Sequence, residues 1–386
     1  MKEWETIQLY YACKLVAGYA FKSKDFGDYP DKVIKITHIV PPTVDMKNLT
    51  GVDLSQYERK KLIKYIAKQG DYVLAMTGAT IGKMGRIEES EAYVNQRVLL
   101  FKNNPNVDKD YLFYVLQQNK FQQYILNHID SESAQPNISA ATVGKYEFLL
   151  PSLKIQNKIG KFLRLIDDKI NVNNRINDNL EQQAQAIFKS WFIDYLPFNG
   201  IKPSDWISTT LGETTEMGAG GDKPKTTSSV KSAEFPYPIY SNGLDNEGLY
   251  GYTDKAKIFD ESVTVSARGT IGFVCLRHIP YVPIVRLVTL IPNEVLLSAK
   301  YLYLFLKQLH ISGTGTTQQQ LTVPDFRKTE ILIPNKTKMD EFTKTVTPIF
   351  DKIWANEDEN VQLALLRDNL LPKLMSGEID VSNIQL

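Results

Sequence analysis

The sequence predicts an α+β protein in which one design is used twice: two globular mixed α/β domains in a pseudo-twofold arrangement, separated by two long antiparallel α-helices that form a coiled coil. Three observations predict it. Short matches recur in the same order along the chain, each copy opens on β-type alternation, and each closes on a long apolar stripe of helical spacing.

The first observation fixes the architecture. Trp4 and Leu9 match Trp206 and Leu211, Thr80-Ile81-Gly82 matches Thr270-Ile271-Gly272, and Tyr111-Leu112 matches Tyr301-Leu302. Lys145, Glu147, Leu149 and Pro151 match Lys328, Glu330, Leu332 and Pro334, and Asp168-Lys169-Ile170 matches Asp351-Lys352-Ile353. The offset shrinks from 202 to 190 to 183, so the first copy has the longer loops. Domain boundaries follow: a globular domain over 1–151, a helical region over 152–200, a second globular domain over 201–334 and a second helical region over 335–386.

Within each copy the strand-like runs come first, as in Asp71 to Met76 and Ser262 to Ser266. The helical part of the first copy carries Ile155, Ile159, Phe162, Ile166, Ile170, Ile176, Leu180, Ala184, Ile187 and Trp191, in steps dominated by three and four. The second carries Phe342, Val346, Ile349, Ile353, Leu363, Leu366, Leu370 and Leu374. These spacings predict helices over 155–191 and 338–375, with Pro348 and Pro372 bending the second near its ends. The first would span roughly 55 Å, the length of a spacer rather than of an ordinary surface helix. A narrow stripe packs on an equivalent stripe, and the duplicate supplies one. Asn173 and Asn356 fall at equivalent positions in the two stripes. Two readings stand for them: a register-setting polar pair, or solvated residues in an Asn-rich stretch.

Composition bounds the function. Lys plus Arg number 45 against 44 Asp plus Glu, so a nucleic-acid partner would need segregated charge. The start, Met1-Lys2-Glu3-Trp4-Glu5, has no signal-type apolar run, and no membrane-length apolar stretch occurs, which predicts a cytoplasmic protein with no membrane partner. Cys13 and Cys275 have no companions at metal-ligand spacing.

Catalytic motifs fail one by one. Gly78 to Lys83 resembles a phosphate loop, but three residues stand between its glycines where four are needed, and Met84 follows the lysine. Asp31, Asp45 and Lys47 fit only a permissive nuclease pattern without a counterpart in the second copy; a stand-alone metal-dependent endonuclease is therefore the enzyme alternative. His38, His128, His278 and His310 are scattered. What remains is polar and duplicated: the glycine turn with Thr77, Lys83 and Arg86 against Arg268 and Thr270, and the amide segment Gln135-Pro136-Asn137 against Thr316, Gln318 and Gln319. Amides can pair bidentately with adenine, and arginine with guanine or phosphate. Arg97 and Arg286 lie near matching positions and fit either a nucleic-acid contact or a carboxylate pair.

These residues carry a family resemblance. Thr77 to Gly82, Gln135-Pro136-Asn137-Ile138-Ser139, Leu150-Pro151, Ala186-Ile187-Phe188-Lys189-Ser190-Trp191-Phe192 and Leu370-Leu371-Pro372-Lys373-Leu374-Met375-Ser376-Gly377-Glu378 are similar to recurring marks of the specificity subunits of type I restriction-modification systems. The first three fade in the second copy, where Gln319-Gln320 replaces Pro-Asn. The resemblance implies two target-recognition domains, each reading one half of a split double-stranded DNA site, with helices that set the spacer. It implies two adenine methyltransferase subunits and restriction subunits as partners, which carry S-adenosylmethionine and ATP; this chain would bind no cofactor or metal and catalyse nothing. Expected DNA-contacting residues are Thr77, Lys83, Arg86, Arg97, Gln135, Asn137, Arg268, Thr270, Arg286, Thr316, Gln318 and Gln319. Ile166, Ile170, Asn173, Leu180, Ile187, Trp191, Ile349, Ile353, Asn356, Leu363, Leu370 and Leu374 are expected to pair the helices or dock subunits. A scaffold that assembles methyltransferase subunits without reading DNA is the remaining alternative.

Overall fold

The computed structural model describes residues 4–129, 136–313 and 320–382. The chain divides into two units, one formed by 1–172 with 359–386 and the other by 173–358. Both long helices are therefore shared out between the units. They span Leu153–Phe192 and Lys336–Met375, 40 residues each. The second continues through Pro348 and Pro372.

In the first unit Cys13–Ala17, Val98–Asn103, Tyr72–Ala75 and Met84–Arg86 lie side by side, each antiparallel to its neighbour, and two short strands, Thr43–Val44 and Ile39–Val40, extend the sheet. The sheet is covered on both faces. Tyr72, Leu74, Met84, Leu99 and Phe101 pack on the helix Lys109–Gln117 and the long helices, whereas Val73, Ala75, Val98 and Leu100 pack on a second cluster with Ile34, Val44 and Ala67. A four-stranded sheet of Thr50–Val52, Phe26–Ile34, Glu91–Val94 and Ile66–Lys68 stands beside it. Asp71 anchors the start of the central strand: its carboxylate takes Lys102, Lys109 (3.0 Å) and the Lys68 amide (3.0 Å).

The second unit repeats the central four strands as Thr215–Ala219, Val288–Pro292, Ser262–Val265 and Val274–Arg277, in the same order and all antiparallel. Its companion sheet is Leu249–Thr253, Tyr237–Tyr240 and Val282–Pro283. One close backbone approach is duplicated. The Gly18 amide donates to the Val98 carbonyl and the Gly220 amide to the Leu287 carbonyl. A Cβ on Gly18 would lie 2.1 Å from the Asn95 oxygen, and one on Gly220 2.7 Å from the Ile284 nitrogen. Only glycine fits such contacts.

Within each unit the two helix segments run antiparallel. In the first, Lys169 pairs with Glu359 (3.1 Å) and Arg367 with Asp167 (2.7 Å), and Asp167 also accepts from the Tyr114 hydroxyl. In the second, Asn356 Nδ2 donates to Asn177 Oδ1 (2.7 Å) and Asn177 Nδ2 to the Ile353 carbonyl. Asn173 and Asn356 are both buried, which removes the solvated reading; Asn356 bonds Asn177, one helical turn beyond the equivalent position.

The long helices also serve as core elements of the units they join. Ile159, Leu163, Leu371, Leu374 and Met375 belong to the core of the first unit, and Ala184, Phe188, Phe192, Phe342, Val346 and Phe350 to that of the second. The terminal turns are core elements because each sheet needs a helical cover on its apolar face. Ile166, Ile353 and Leu374 are buried, and Ile170, Leu180, Ile187, Trp191, Ile349, Leu363 and Leu370 are half-buried. Ile176 and Leu366, placed on the stripes by spacing, are exposed. Leu165, Val172, Val361 and Leu365 are exposed as well. No helix among the described residues is long and apolar enough to cross a membrane.

Candidate nucleic-acid interface

The same turn is built at the end of the central strand in both units. In the first, the Met76 carbonyl accepts from the Ile138 amide (3.0 Å), Thr77 bridges to Asn137, and the Gly78 amide donates to the Pro136 carbonyl (3.0 Å). Gly78 and Gly82 take φ of +71° and +84°, and the Gly82 amide returns to the Ala75 carbonyl (2.9 Å). Left-handed backbone at both ends reverses the chain within five residues. In the second unit the Ala267 carbonyl accepts from the Leu321 amide (3.0 Å), Gly269 and Gly272 take +68° and +85°, and the Gly272 amide returns to the Ser266 carbonyl (3.0 Å). The turn and the amide segment, distant in sequence, are therefore joined in both units.

Polar side chains gather on these turns. Thr77 is buried; its hydroxyl donates to the Pro136 carbonyl (3.1 Å) and accepts from Arg97 Nη1 (3.1 Å), so it shapes the turn rather than facing solvent. Arg97, Lys83 and Asn137 are exposed. Arg268, Thr270 and Arg286 are exposed in the second unit, and the Arg268 guanidinium donates to Gln320 Oε1 at 3.1 and 3.3 Å. Gln135, Thr316, Gln318 and Gln319 lie outside the described residues.

Arg86 does not belong to this surface. It is 3% exposed, with Nη1 2.6 Å from Asp110 and its guanidinium carbon 4.0 Å from the Phe113 ring centre. The Met84–Arg86 strand places it beneath the sheet, where register overrides its proximity in sequence to the turn. The second unit repeats the arrangement with Arg277, a residue the sequence comparison missed. Arg86 faces Tyr72 as Arg277 faces Ser262 in the matching strand pair; Arg277 is also 3% exposed, 2.8 Å from Glu247, with Tyr240 beneath it at 3.7 Å. The offset here is 191 where the neighbouring match has 190, so identity alignment slips past it.

Asn242 is the second omission. Its Oδ1 accepts from the Ala267 amide (2.7 Å) and its Nδ2 donates to the Val285 carbonyl (2.6 Å), tying the glycine turn to the loop that carries Arg286. Val285 and Arg286 are both left-handed, with φ of +52° and +61°. Such conformations cost about 1–3 kcal/mol each and persist where surrounding structure enforces them. Asn242 follows the strand Tyr237–Tyr240 at a place where the first copy has Ile36 after Phe26–Ile34, so duplication of residue identity could not point to it.

The acids of the permissive nuclease pattern are engaged in local contacts. Asp31 is held by Arg59 (2.9 Å), and Asp45 accepts from the Lys47 and Asn48 amides and from Asn48 Nδ2, which makes it a turn cap. No cluster of three or more His, Cys, Asp or Glu suited to a metal occurs among the described residues. Burial pushes the Cys13 and Cys275 thiols up to about 12, far from a reactive thiolate. His278, stacked on Trp354, is lowered from its ordinary value first by burial.

Two segments of the chain, 1–182 and 203–364, match the family described as the type I restriction modification DNA specificity domain. The chain belongs to this family. The double match coincides with the duplicated turn, sheet and helix. Curated relatives include the type I restriction enzyme MjaIX specificity subunit of Methanocaldococcus jannaschii, 26% identical over 350 residues that cover 81% of this chain and 78% of that protein. The HindI specificity subunit of Haemophilus influenzae is 26% identical, covering 74% of this chain and 81% of that protein. A solved S subunit of a type I restriction-modification system from M. genitalium has the same fold, with a TM-score of 0.58 over 98% of this chain and 97% of that one at 16% identity.

Proposed function

We propose that this specificity-family chain reads a split DNA site, each unit presenting its glycine turn and joined amide segment to one half-site. The observation that carries the reading is the turn built twice with exposed cationic side chains: Lys83 and Arg97 in one unit, Arg268 and Arg286 in the other. Base-edge readout needs a small set of positioned donors per half-site, and phosphate contacts from lysine and arginine supply affinity. Asn137 and Thr270 add neutral donors on the same surfaces, with Gln135, Thr316, Gln318 and Gln319 as further candidates. Thr77 acts by holding the turn.

The chain itself catalyses nothing and binds neither S-adenosylmethionine nor ATP on this reading. Two adenine methyltransferase subunits and restriction subunits supply those chemistries in the cytoplasm. Exposed Leu165, Val172, Val361 and Leu365 give the helix segments of the first unit apolar surface that a partner subunit would cover. The long helices then fix the spacer between half-sites.

The test is selection from a pool of random DNA duplexes by the full chain in complex with its methyltransferase partner. A split consensus is expected, and seven residues inserted into each long helix should lengthen its spacer while leaving both half-sites intact. Recovery of unselected sequence, bound with no salt dependence, would refute DNA reading.

A further inference from the structure

The two units secure the same pair of loops by different means. In the first, Arg97 on one loop donates directly to Thr77 on the other, so this guanidinium is engaged in holding its own surface together. In the second, a residue from a third segment makes the tie: Asn242 takes the Ala267 amide with one end and gives a hydrogen bond to the Val285 carbonyl with the other. The amides of Val285 and Arg286 are then held by the carbonyls of Gly221 (2.9 Å) and Gly220 (2.8 Å). This cradle keeps a β-branched residue and its neighbour left-handed, a conformation that neither favours alone. Among the described residues the Arg286 side chain has no hydrogen bond or ion pair, and it is exposed.

We infer that Asn242 is the positioning residue of the second recognition surface, holding the backbone of the Val285–Arg286 loop so that Arg286 presents its guanidinium to DNA. The inference rests on the DNA-reading function proposed above. A planar guanidinium on a strained loop is suited to a bidentate contact with a guanine edge or a phosphate. An Arg286→Lys variant separates these: lysine keeps the charge for a phosphate contact but loses the rigid planar fork, so a guanine contact should suffer far more than a phosphate contact. Arg97 spends a donor on its own turn, so the two half-sites are read by differently organised arginines.

The experiment uses the full chain with its methyltransferase partner and the duplex selected by the wild type. Asn242→Ala and Arg286→Ala should each weaken binding about tenfold or more, blur the bases of one half-site and leave the other sharp. Because Asn242 acts through Arg286, the double variant should bind no worse than the weaker single variant. Lys83→Ala should affect the opposite half-site. Independent, multiplying losses in the double variant, or unchanged half-site selection in both single variants, would overturn the inference. Should Asn242→Ala fail to fold, Arg286→Ala at its exposed, unpartnered site still decides: loss confined to one half-site supports the assignment, and no loss refutes it. A wild-type chain that selects no consensus would instead overturn DNA reading itself.

Discussion

Replacing Arg86 should weaken the first unit without weakening its grip on DNA. Truncation to alanine removes two methylenes of stem, worth about 0.8 kcal/mol each, and a guanidinium–ring contact worth about 1–2 kcal/mol. It also strands Asp110, whose side chain is 35% exposed and so regains water, which keeps the loss below the 3–5 kcal/mol typical of a broken, fully buried ion pair. Against these losses, Arg86 Nε and Nη2 are buried without a partner among the described residues, and removing them recovers part of the energy. The balance is a loss of about 2–4 kcal/mol for Arg86→Ala. Arg86→Met retains the stem over Phe113 and sheds both orphaned donors, so its cost should be about 1 kcal/mol or less. Thermal unfolding and hydrogen exchange of the strand Tyr72–Ala75 would measure both, while anisotropy against salt would measure DNA binding. Unaltered stability combined with a fall of about 0.9 in the slope of log K against log salt, the signature of one lost phosphate contact, would refute the buried assignment.

Three further outcomes follow from the packing and electrostatics. Burial pushes the Asp71 carboxyl up, but hydrogen bonds from Lys102, the Lys68 amide and Lys109 outweigh it and hold the group below its ordinary value. Its contribution is therefore present above the unfolded value near 3.9 and lost as pH falls through the folded one; the stability gap between wild type and Asp71→Asn should close over that acid range in pH-dependent melting. Gly18→Ala should cost about 1–3 kcal/mol or more, read by urea unfolding, because the new methyl meets backbone that cannot retreat. Cys13 and Cys275 should resist a thiol reagent in the native state and react only at the rate of unfolding; prompt labelling at neutral pH would contradict their burial.

Much of the fold was legible in the sequence because order-preserving repeats report architecture even at low identity. The helices, central strands and glycine turns fall where spacing and duplication put them. Burial on the central sheet was not legible: Tyr72, Val73, Leu74 and Ala75 are all buried, so the alternation that separates an inner from an outer face is missing. Nearness to the turn therefore suggests a surface cation at Arg86, whereas strand register turns it inward. Ile176 and Leu366 show the complementary error, since apolar spacing on a 40-residue helix cannot say which turns have a neighbour to cover them. Asn242 depends on a tertiary meeting of three loops that no local pattern encodes.

The first unit draws on both extremes of the sequence. Lys158 on the first long helix donates to the Val381 and Ser382 carbonyls, and Trp4 lies against Gly377. The second unit, by contrast, is assembled from one uninterrupted stretch. A ribosome releasing residues in order can therefore let the later half mature while the earlier half still waits, its helix Leu153–Phe192 lacking Leu371, Leu374 and Met375 against Ile159 and Leu163. The part made first would be the part finished last, and a chain arrested before residue 359 would carry one completed unit and one with an uncovered apolar face.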